Sequence, residues 1–293
     1  MLPKKIYSLL LSFLTILSLI YFYFALTQQN LECSNNKLKG NAQIFKGKIE
    51  KIFQQPIVFI GGYPGSGSSI VQSILEIHAN LKCVSNVKLL VKFYDSFIKL
   101  RKTPQLIGFL DDAGFNDTIL DKALGLYSYY IFLKKASNTK LLCNNEAENM
   151  FYLNFYKNVF PKSKFLFLLR DGREAVLSVL KRKNQKFDMD SFSTMLKEWN
   201  EWNNKAYNSC IKTSPEYCKV IRYEYLISNS QEVLKDLTHF LNLKKIDDIN
   251  EYRRIILNNA YKVEKSIMNI YSTERTENNT MLYELNYLNL HKN

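Results

Sequence analysis

A segment rich in glycine and serine has the residue types and spacing of a phosphate-binding turn. It reads GYPGSGSS at positions 62–69, after the β-branched run IVFI at 57–60 and before an apolar pattern with helical spacing. A strand, a glycine-rich turn and a helix in this order direct backbone N–H groups and the helix N-terminus at an anion. We therefore predict anion contacts from Gly65, Ser66, Gly67, Ser68 and Ser69.

The turn differs at one position from the P-loop GxxxxGK[ST] of proteins that bind nucleoside triphosphates. The lysine of that motif contacts the terminal phosphates, and here its position holds Ser68. The sequence thus favours phosphate binding over a kinase or NTPase activity. An ordinary tight turn between a strand and a helix is the alternative without a binding function.

A second pattern that could bind a phosphate follows about a hundred residues later. The sequence FLFLLRDGREAVLSVLKR, at 165–182, predicts a strand that ends at Arg170 and a helix that carries Ser178. The two side chains can hold one phosphate together, since both donate hydrogen bonds. Taken alone this pattern is weak, because an arginine at a strand end is commonly only solvated.

The elements that must position these residues alternate along the chain. Strands that alternate with helices indicate an α/β fold with a central parallel sheet flanked by helices. Residues 86–136 are predicted to be helical, with breaks near Thr103 and Pro104 and at 111–115. Hydrophobic periodicity predicts strands at 57–60, 141–143, 165–169 and 219–222 and helices at 68–78, 148–159, 172–181, 189–207 and 231–241.

The N-terminal segment predicts one transmembrane helix. Residues 6–26 carry no charge and are long enough to cross the hydrocarbon core of a bilayer. Lys4 and Lys5 precede the segment, so the positive-inside rule places the N-terminus in the cytosol and the rest in the lumen. We predict a cytosolic tail at 1–5, a signal anchor at 6–26 and a lumenal stem at 27–52; a cleaved signal peptide is the alternative.

Composition narrows the class of partner. The 293 residues are 46% hydrophobic and carry a net charge of +13, which suits a globular protein with an anionic ligand or partner. The lumenal location argues against nucleic acid. The sequence also has two glycosylation sequons, at Asn116 and Asn278.

The cysteine pattern indicates disulfides rather than a metal site. No CxxC occurs and the chain has only three histidines, so we predict no metal. The oxidising lumen permits disulfides. Cys33 lies in the predicted stem, and the other four cysteines allow three pairings: Cys83, Cys143, Cys210 and Cys218.

Taken together, the two anion patterns resemble the nucleotide site of sulfotransferases. GYPGSGSS resembles the loop that binds the 5′-phosphosulfate of 3′-phosphoadenosine 5′-phosphosulfate (PAPS), and Arg170 with Ser178 resembles the site of its 3′-phosphate. From about 56 to 270 the chain resembles tyrosylprotein sulfotransferases, through VFIGGYPGSGSSIVQSILEIHANLKC, LLCNNEAENMFYLNFYKNVFPKSKFLFLLRDGREAVLSVLKRK, FDMDSFSTMLKEWNEWNNKAYNSC and CKVIRYEYL.

The resemblance implies a P-loop-like sulfotransferase fold over 53–270, with a C-terminal tail at 271–293. It further implies a type II protein of the Golgi membrane that uses PAPS to sulfate tyrosines in acidic stretches of secreted polypeptides, and a possible homodimer. By the same resemblance, Cys83 pairs with Cys143 and Cys210 with Cys218. It also implies nucleotide contacts from Tyr223 and Ser266 and contacts with the acidic substrate from Lys88 and Lys92.

Three positions depart from the charged residues of that family. The position of the family's catalytic base holds Ser85. The position of its loop arginine holds Gly65, and the position of a lysine just after Cys143 holds Asn145. Glu146 is a candidate replacement for the lost charge. The part of the chain after 270 is also shorter than in the family.

These departures leave several functions open. The first is a protein-tyrosine sulfotransferase with an altered site. The second is a catalytically inactive homologue that binds PAPS, acidic peptides or an active relative. A sulfotransferase for another acceptor, such as a glycan, is the third, and a nucleotide kinase is the most remote.

Overall fold

The apolar run ahead of the glycine-rich turn is the central strand of a parallel sheet. The computed structural model describes residues 37–78, 80–136, 141–184, 188–243 and 254–255. The sheet has five strands in the order β2-β3-β1-β4-β5. They are β1 (Ile57–Gly62), β2 (Leu81–Ser85), β3 (Leu141–Asn145), β4 (Lys164–Leu169) and β5 (Cys218–Arg222).

Burial explains why these short runs form the middle of the sheet. Every residue of β1 is buried, and so is every residue of β4 after its first. Parallel strands covered on both faces have such continuous apolar sequences. The register pairs Phe59 of β1 with Phe165 of β4, and their rings stack with centroids 5.2 Å apart.

Helices connect the strands. In chain order they are α1 (Lys37–Phe53), α2 (Ser68–Glu76), α3 (Lys88–Leu100), α4 (Pro104–Asp112), α5 (Asp117–Ala136), a 3-10 helix (Ala147–Phe151), α6 (Leu153–Val159), α7 (Gly172–Arg182), α8 (Met189–Thr213), α9 (Tyr223–Ser228) and α10 (Ser230–Phe240).

Local sequence explains where two of the longer helices begin. Asp171 precedes α7 and its carboxylate accepts a hydrogen bond from the backbone N–H of Arg173. Asp188 does the same for α8, with the N–H of Ser191. Aspartate is a preferred N-cap residue because it satisfies an N–H that has no partner inside the helix.

The chain divides into two compact units. The first is the sheet with its helices and covers the described residues of 56–86, 136–154 and 163–243. Its core lies between the sheet and helices α2 and α10. The buried side chains that form this core include Val58, Ile60, Ile70, Val71, Ile74, Leu166, Leu168, Val233 and Leu237.

The second unit is helical and contains residues 87–135 and 155–162 together with α1. Tyr94 lies at its centre, where the phenol hydroxyl hydrogen-bonds the Ser128 hydroxyl at 2.5 Å. Burial raises the pKa of the Tyr94 phenol well above its usual range. The ring of Tyr94 also contacts Tyr156 edge to face at 5.5 Å.

Both disulfides implied by the resemblance are formed. Cys83 bonds Cys143, and these two residues are register partners on the neighbouring strands β2 and β3. Cys210, in the last turn of α8, bonds Cys218 at the start of β5. All four cysteines are buried.

The predicted α/β class with a parallel sheet flanked by helices is confirmed. The prediction missed β2, and the helix predicted over 148–159 is a 3-10 turn followed by α6. The breaks within 86–136 separate α3, α4 and α5. The segment 27–52, predicted as a stem, contains α1 from Lys37 onward.

The predicted anchor at 6–26 lies outside the described residues. Within the described ranges, none of the helices combines the length and the apolar character needed to cross a bilayer. Cys33, Ser266, Asn278 and the predicted tail at 271–293 also lie outside them.

Candidate functional site

The predicted anion-binding residues gather at one edge of the sheet. The glycine-rich loop follows β1, Arg170 follows β4, and Tyr223 follows β5. Because β1 and β4 are neighbours whose chains continue to opposite sides of the sheet, their carboxyl ends form a topological switch point. Ligands of open α/β sheets bind at such a switch point.

The loop after β1 has a backbone that only glycine adopts readily at two positions. Gly65 and Gly67 have φ angles of +92° and +94°. A Cβ at Gly65 would clash with the carbonyl oxygen of Ala175 on α7, and a Cβ at Gly67 would lie 2.5 Å from the Tyr223 ring. The loop is therefore packed too closely for side chains at either position.

The same loop carries an unsatisfied polar atom. The Ser66 side chain is 2% exposed, and its hydroxyl oxygen has no hydrogen-bond partner among the described residues. Buried hydroxyl groups normally have a partner, and a bound ligand is one way to supply it. Ser66 thus fits a site that closes around a polar ligand.

The N-terminus of α2 adds to the attraction for anions. Gly67 occupies the N-cap position, and it has no side chain to accept a hydrogen bond from the first N–H groups of the helix. Ser68 and Ser69 open the helix with their backbone N–H groups. Free N–H groups and the helix dipole favour a negative ligand here.

Arg170, at the end of β4, contacts both the glycine-rich loop and Tyr223, which follows β5. Its Nη1 donates to the carbonyl oxygen of Gly65 at 3.0 Å, and its guanidinium carbon lies 4.1 Å from the centre of the Tyr223 ring. Its Nε and Nη2 donate to one carboxylate oxygen of Glu174, at 3.2 and 2.9 Å. The side chain is only 9% exposed, so its position is well defined by these contacts.

Tyr223 is a neutral support of the site rather than a base. Tyr223 is 5% exposed, and its ring lies close to both Gly67 and the Arg170 guanidinium. Burial raises the pKa of its phenol, although the nearby Arg170 charge opposes the shift. Tyr223 therefore stays protonated at neutral pH.

Glu174 and Gln72 are contacts that sequence reasoning missed. Glu174 lies in the first turn of α7 and pairs with Arg170, which precedes the helix, and no helical pattern in the sequence indicates that contact. Ser178, four residues further along α7, is half-buried. Gln72 of α2 accepts a hydrogen bond from Asn145 at 2.8 Å, and no local pattern indicates that contact.

The carboxyl ends of β2 and β3 bring neutral side chains together. Ser85 and Asn145 are register partners at the last positions of these strands, and both are half-buried. The two positions at which the family resemblance implies charged residues are therefore adjacent here and uncharged. The next residue, Glu146, is 8% exposed and donates its backbone N–H to Ile60 at 3.2 Å.

Asn149 ties β1 to β3 beside this edge. Its side-chain nitrogen donates to the carbonyl oxygens of Ile60 and Asn144, at 2.8 and 3.0 Å. Asn149 is 2% exposed, so these bonds hold the two strand ends in a fixed relation.

The remaining predicted residues are placed as follows. Lys88 and Lys92 are exposed, one turn apart on α3 of the helical unit. Asn116 is exposed and accepts a hydrogen bond from the N–H of Ile119 at the start of α5. Among the described residues, no group of acidic, cysteine and histidine side chains is arranged to hold a metal ion.

A methyl group at Gly67 tests the packing of the loop. We expect Gly67→Ala to lower the free energy of unfolding by about 1–3 kcal/mol, because the new Cβ meets the Tyr223 ring and φ is positive. Urea denaturation measures this effect. The control is Gly108→Ala, which adds a methyl group to helix α4 with no atom within 4 Å and should stabilise by about 0.5–1 kcal/mol. Equal effects of the two changes would contradict the packing described here.

Comparison with known proteins identifies relatives of this chain. The model of the sulfotransferase family matches residues 56–248. Protein-tyrosine sulfotransferase 1 of Danio rerio is 27% identical over 203 residues, which cover 69% of this chain and 57% of that protein. Protein-tyrosine sulfotransferase 1 of Homo sapiens is 29% identical over 218 residues, covering 68% and 58%.

Protein-tyrosine sulfotransferase 2 of Gallus gallus is 25% identical over 246 residues, covering 79% of this chain and 66% of that protein. The chain thus spans between 57% and 66% of the length of these three relatives. Among solved structures, the sulfotransferase domain from the curacin biosynthetic pathway has a TM-score of 0.46 at 22% identity and covers 65% of this chain and 75% of that one.

Proposed function

Because this chain belongs to the sulfotransferase family, we propose that it transfers sulfate from PAPS to tyrosine residues of polypeptides. The observation that carries the proposal is the meeting of the glycine-rich loop and Arg170 at the switch point of the sheet. The curated relatives named protein-tyrosine sulfotransferase support the choice of acceptor.

The residues at this edge fit a ligand with two separated anionic groups. The loop N–H groups, the α2 N-terminus and the unsatisfied Ser66 hydroxyl suit the 5′-phosphosulfate. Arg170 and Ser178 suit the 3′-phosphate. When bound, PAPS supplies the sulfonate group that is transferred.

The acceptor side of the site is the part that this chain has changed. A tyrosine phenol must lose its proton during transfer, and a serine at position 85 has no basicity near neutral pH to take it. Glu146 is the candidate base, since its carboxyl group follows β3 directly and belongs to a buried residue.

A second candidate function follows from the uncharged strand ends. Losing a single preorganised electrostatic group costs roughly 10²–10³ in rate, and Gly65, Ser85 and Asn145 are all neutral. A homologue that binds PAPS or acidic peptides without turnover is consistent with this arrangement. Such a protein would function by binding acidic peptides or an active relative rather than by catalysis.

The environment we propose is the lumen of the Golgi, with the chain held in the membrane by the segment 6–26. The two disulfides support an oxidising compartment. The net charge of +13 suits acidic tyrosine-containing polypeptides as substrates, and Lys88 and Lys92 are exposed for such a contact. Glycosylation at Asn116 and Asn278 and a homodimer belong to the same proposal.

One experiment tests the proposal and separates the two candidates. The purified full-length chain is incubated with radiolabelled PAPS and an acidic peptide that contains tyrosine, and nucleotide binding and label transfer are both recorded. Transfer supports the enzyme, and binding without transfer supports the inactive homologue. No binding of PAPS would overturn both.

Restoring charge at the two strand ends should raise the rate of transfer. We expect Ser85→Glu combined with Asn145→Lys to increase kcat by about 10²-fold, because a base and a cation return to adjacent positions. Gly65 is left unchanged, since a side chain there would clash with Ala175. Initial rates with the peptide acceptor measure the effect.

The matched control is Asn208→Lys, which adds a cation at an exposed position of α8, two residues from Cys210. It should leave kcat unchanged. A rate for the double variant equal to that of the unmodified chain would contradict the assignment of these strand ends to catalysis.

A further inference from the structure

The guanidinium group assigned to the 3′-phosphate already holds an anion. One carboxylate oxygen of Glu174 accepts hydrogen bonds from both Nε and Nη2 of Arg170. The same two nitrogens can bind a phosphate through two hydrogen bonds. The two side chains are 9% and 20% exposed, so solvent screens their interaction only in part.

The charges around Arg170 are already balanced by neighbouring side chains. Arg170 and Arg173 are positive, whereas Asp171, Glu174 and Glu224 are negative. Arg173 pairs with Asp171, and Glu224 accepts the backbone N–H of Asp171 at 2.9 Å. Arg222, the register partner of Leu169, is a third positive group at this edge, so the six side chains carry a formal charge of zero, counted as three positive and three negative groups. A phosphate that binds Arg170 must therefore compete with the Glu174 carboxylate, which already accepts from this guanidinium.

In the sequence, Glu174 also lies between Arg170 and Ser178, the two residues assigned to the 3′-phosphate. Arg170 precedes it by four residues and Ser178 follows it by four, so Glu174 and Ser178 share one face of α7. A phosphate held by Arg170 and Ser178 must approach the place that the Glu174 carboxylate occupies.

We propose that Glu174 is an internal counter-ion of Arg170 that the 3′-phosphate of the nucleotide displaces. Glu174 thereby lowers the affinity for 3′-phosphorylated nucleotides while leaving other nucleotides unaffected. This inference rests on the proposed use of PAPS. Glu174, a residue of α7, thus sets how strongly the 3′-phosphate is bound.

Glu174→Gln tests the proposal because it removes the charge and keeps an oxygen that can accept from Arg170. Calorimetric titration of the full chain with adenosine 3′,5′-bisphosphate should show an affinity about tenfold higher in this variant. Adenosine 5′-phosphosulfate, which has no 3′-phosphate, should bind both proteins equally. Glu174→Ala should also bind the bisphosphate more tightly than the unmodified chain does.

The control is Glu216→Gln, which removes an exposed carboxylate near the start of β5, at the opposite edge of the sheet. It should not change either affinity. Equal or weaker binding of the bisphosphate by Glu174→Gln would overturn the proposal and make Glu174 a support of Arg170. If neither protein binds any of the nucleotides, the proposed use of PAPS fails as well.

Discussion

Arg170→Ala should lower the affinity for adenosine 3′,5′-bisphosphate by about two to four orders of magnitude. Hydrogen bonds from a guanidinium to a phosphate are charge-assisted, and two of them are worth roughly 3–6 kcal/mol. Arg170 also positions the loop through the Gly65 carbonyl and covers the Tyr223 ring, so its loss affects both predicted anion sites. Calorimetric titration measures the change.

The strand that carries Arg170 should survive this substitution. Phe165, Leu166, Phe167, Leu168 and Leu169 are fully buried and do not depend on the arginine for their packing. Arg182→Ala is the matched control, since Arg182 is exposed at the far end of α7 and should not affect binding. An unchanged affinity in Arg170→Ala, with a normal unfolding transition, would refute its assignment to the 3′-phosphate.

Removing the disulfide between Cys83 and Cys143 should cost about 4 kcal/mol of the free energy of unfolding. The two cysteines are 60 residues apart, and in the chain-entropy account a longer loop restricts the unfolded chain more strongly. The double variant with alanine at both positions should therefore melt about 10 °C lower than the unmodified chain.

The second disulfide provides the comparison. Cys210 and Cys218 are 8 residues apart, so the corresponding alanine variant should lose only about 2.6 kcal/mol. Urea denaturation of the two double variants gives both values on one scale. A larger loss from the shorter loop would refute loop closure as the source of the stability.

The Cys83–Cys143 bond also supports the candidate site. It joins β2 and β3 two positions before their ends, where Ser85 and Asn145 are adjacent. We therefore expect the alanine variant to lose the fixed relation between these strand ends. The stability of this unit and the geometry of its site depend on the same covalent bond.

Much of the site could be predicted because its signals are local. The run IVFI, the glycines of the loop and the helical pattern after them are contiguous in the sequence, and together they specify a strand, a turn and a helix. The same holds for β4, Arg170 and α7. Strand β2 was not predicted because its sequence, LKCVS, is short and has an exposed lysine among buried residues. It also lies at the edge of the sheet.

By itself the sequence determined the class of fold, the anion-binding loop and the uncharged side chains of Ser85 and Asn145, since these depend on residue type and on neighbours along the chain. Only the tertiary structure decided that Tyr223 packs against Gly67, that Gln72 accepts from Asn145 and that the carbonyl of Gly65 holds Arg170. Such contacts join residues far apart in the chain. They follow from the order in which the strands assemble, which no local pattern encodes.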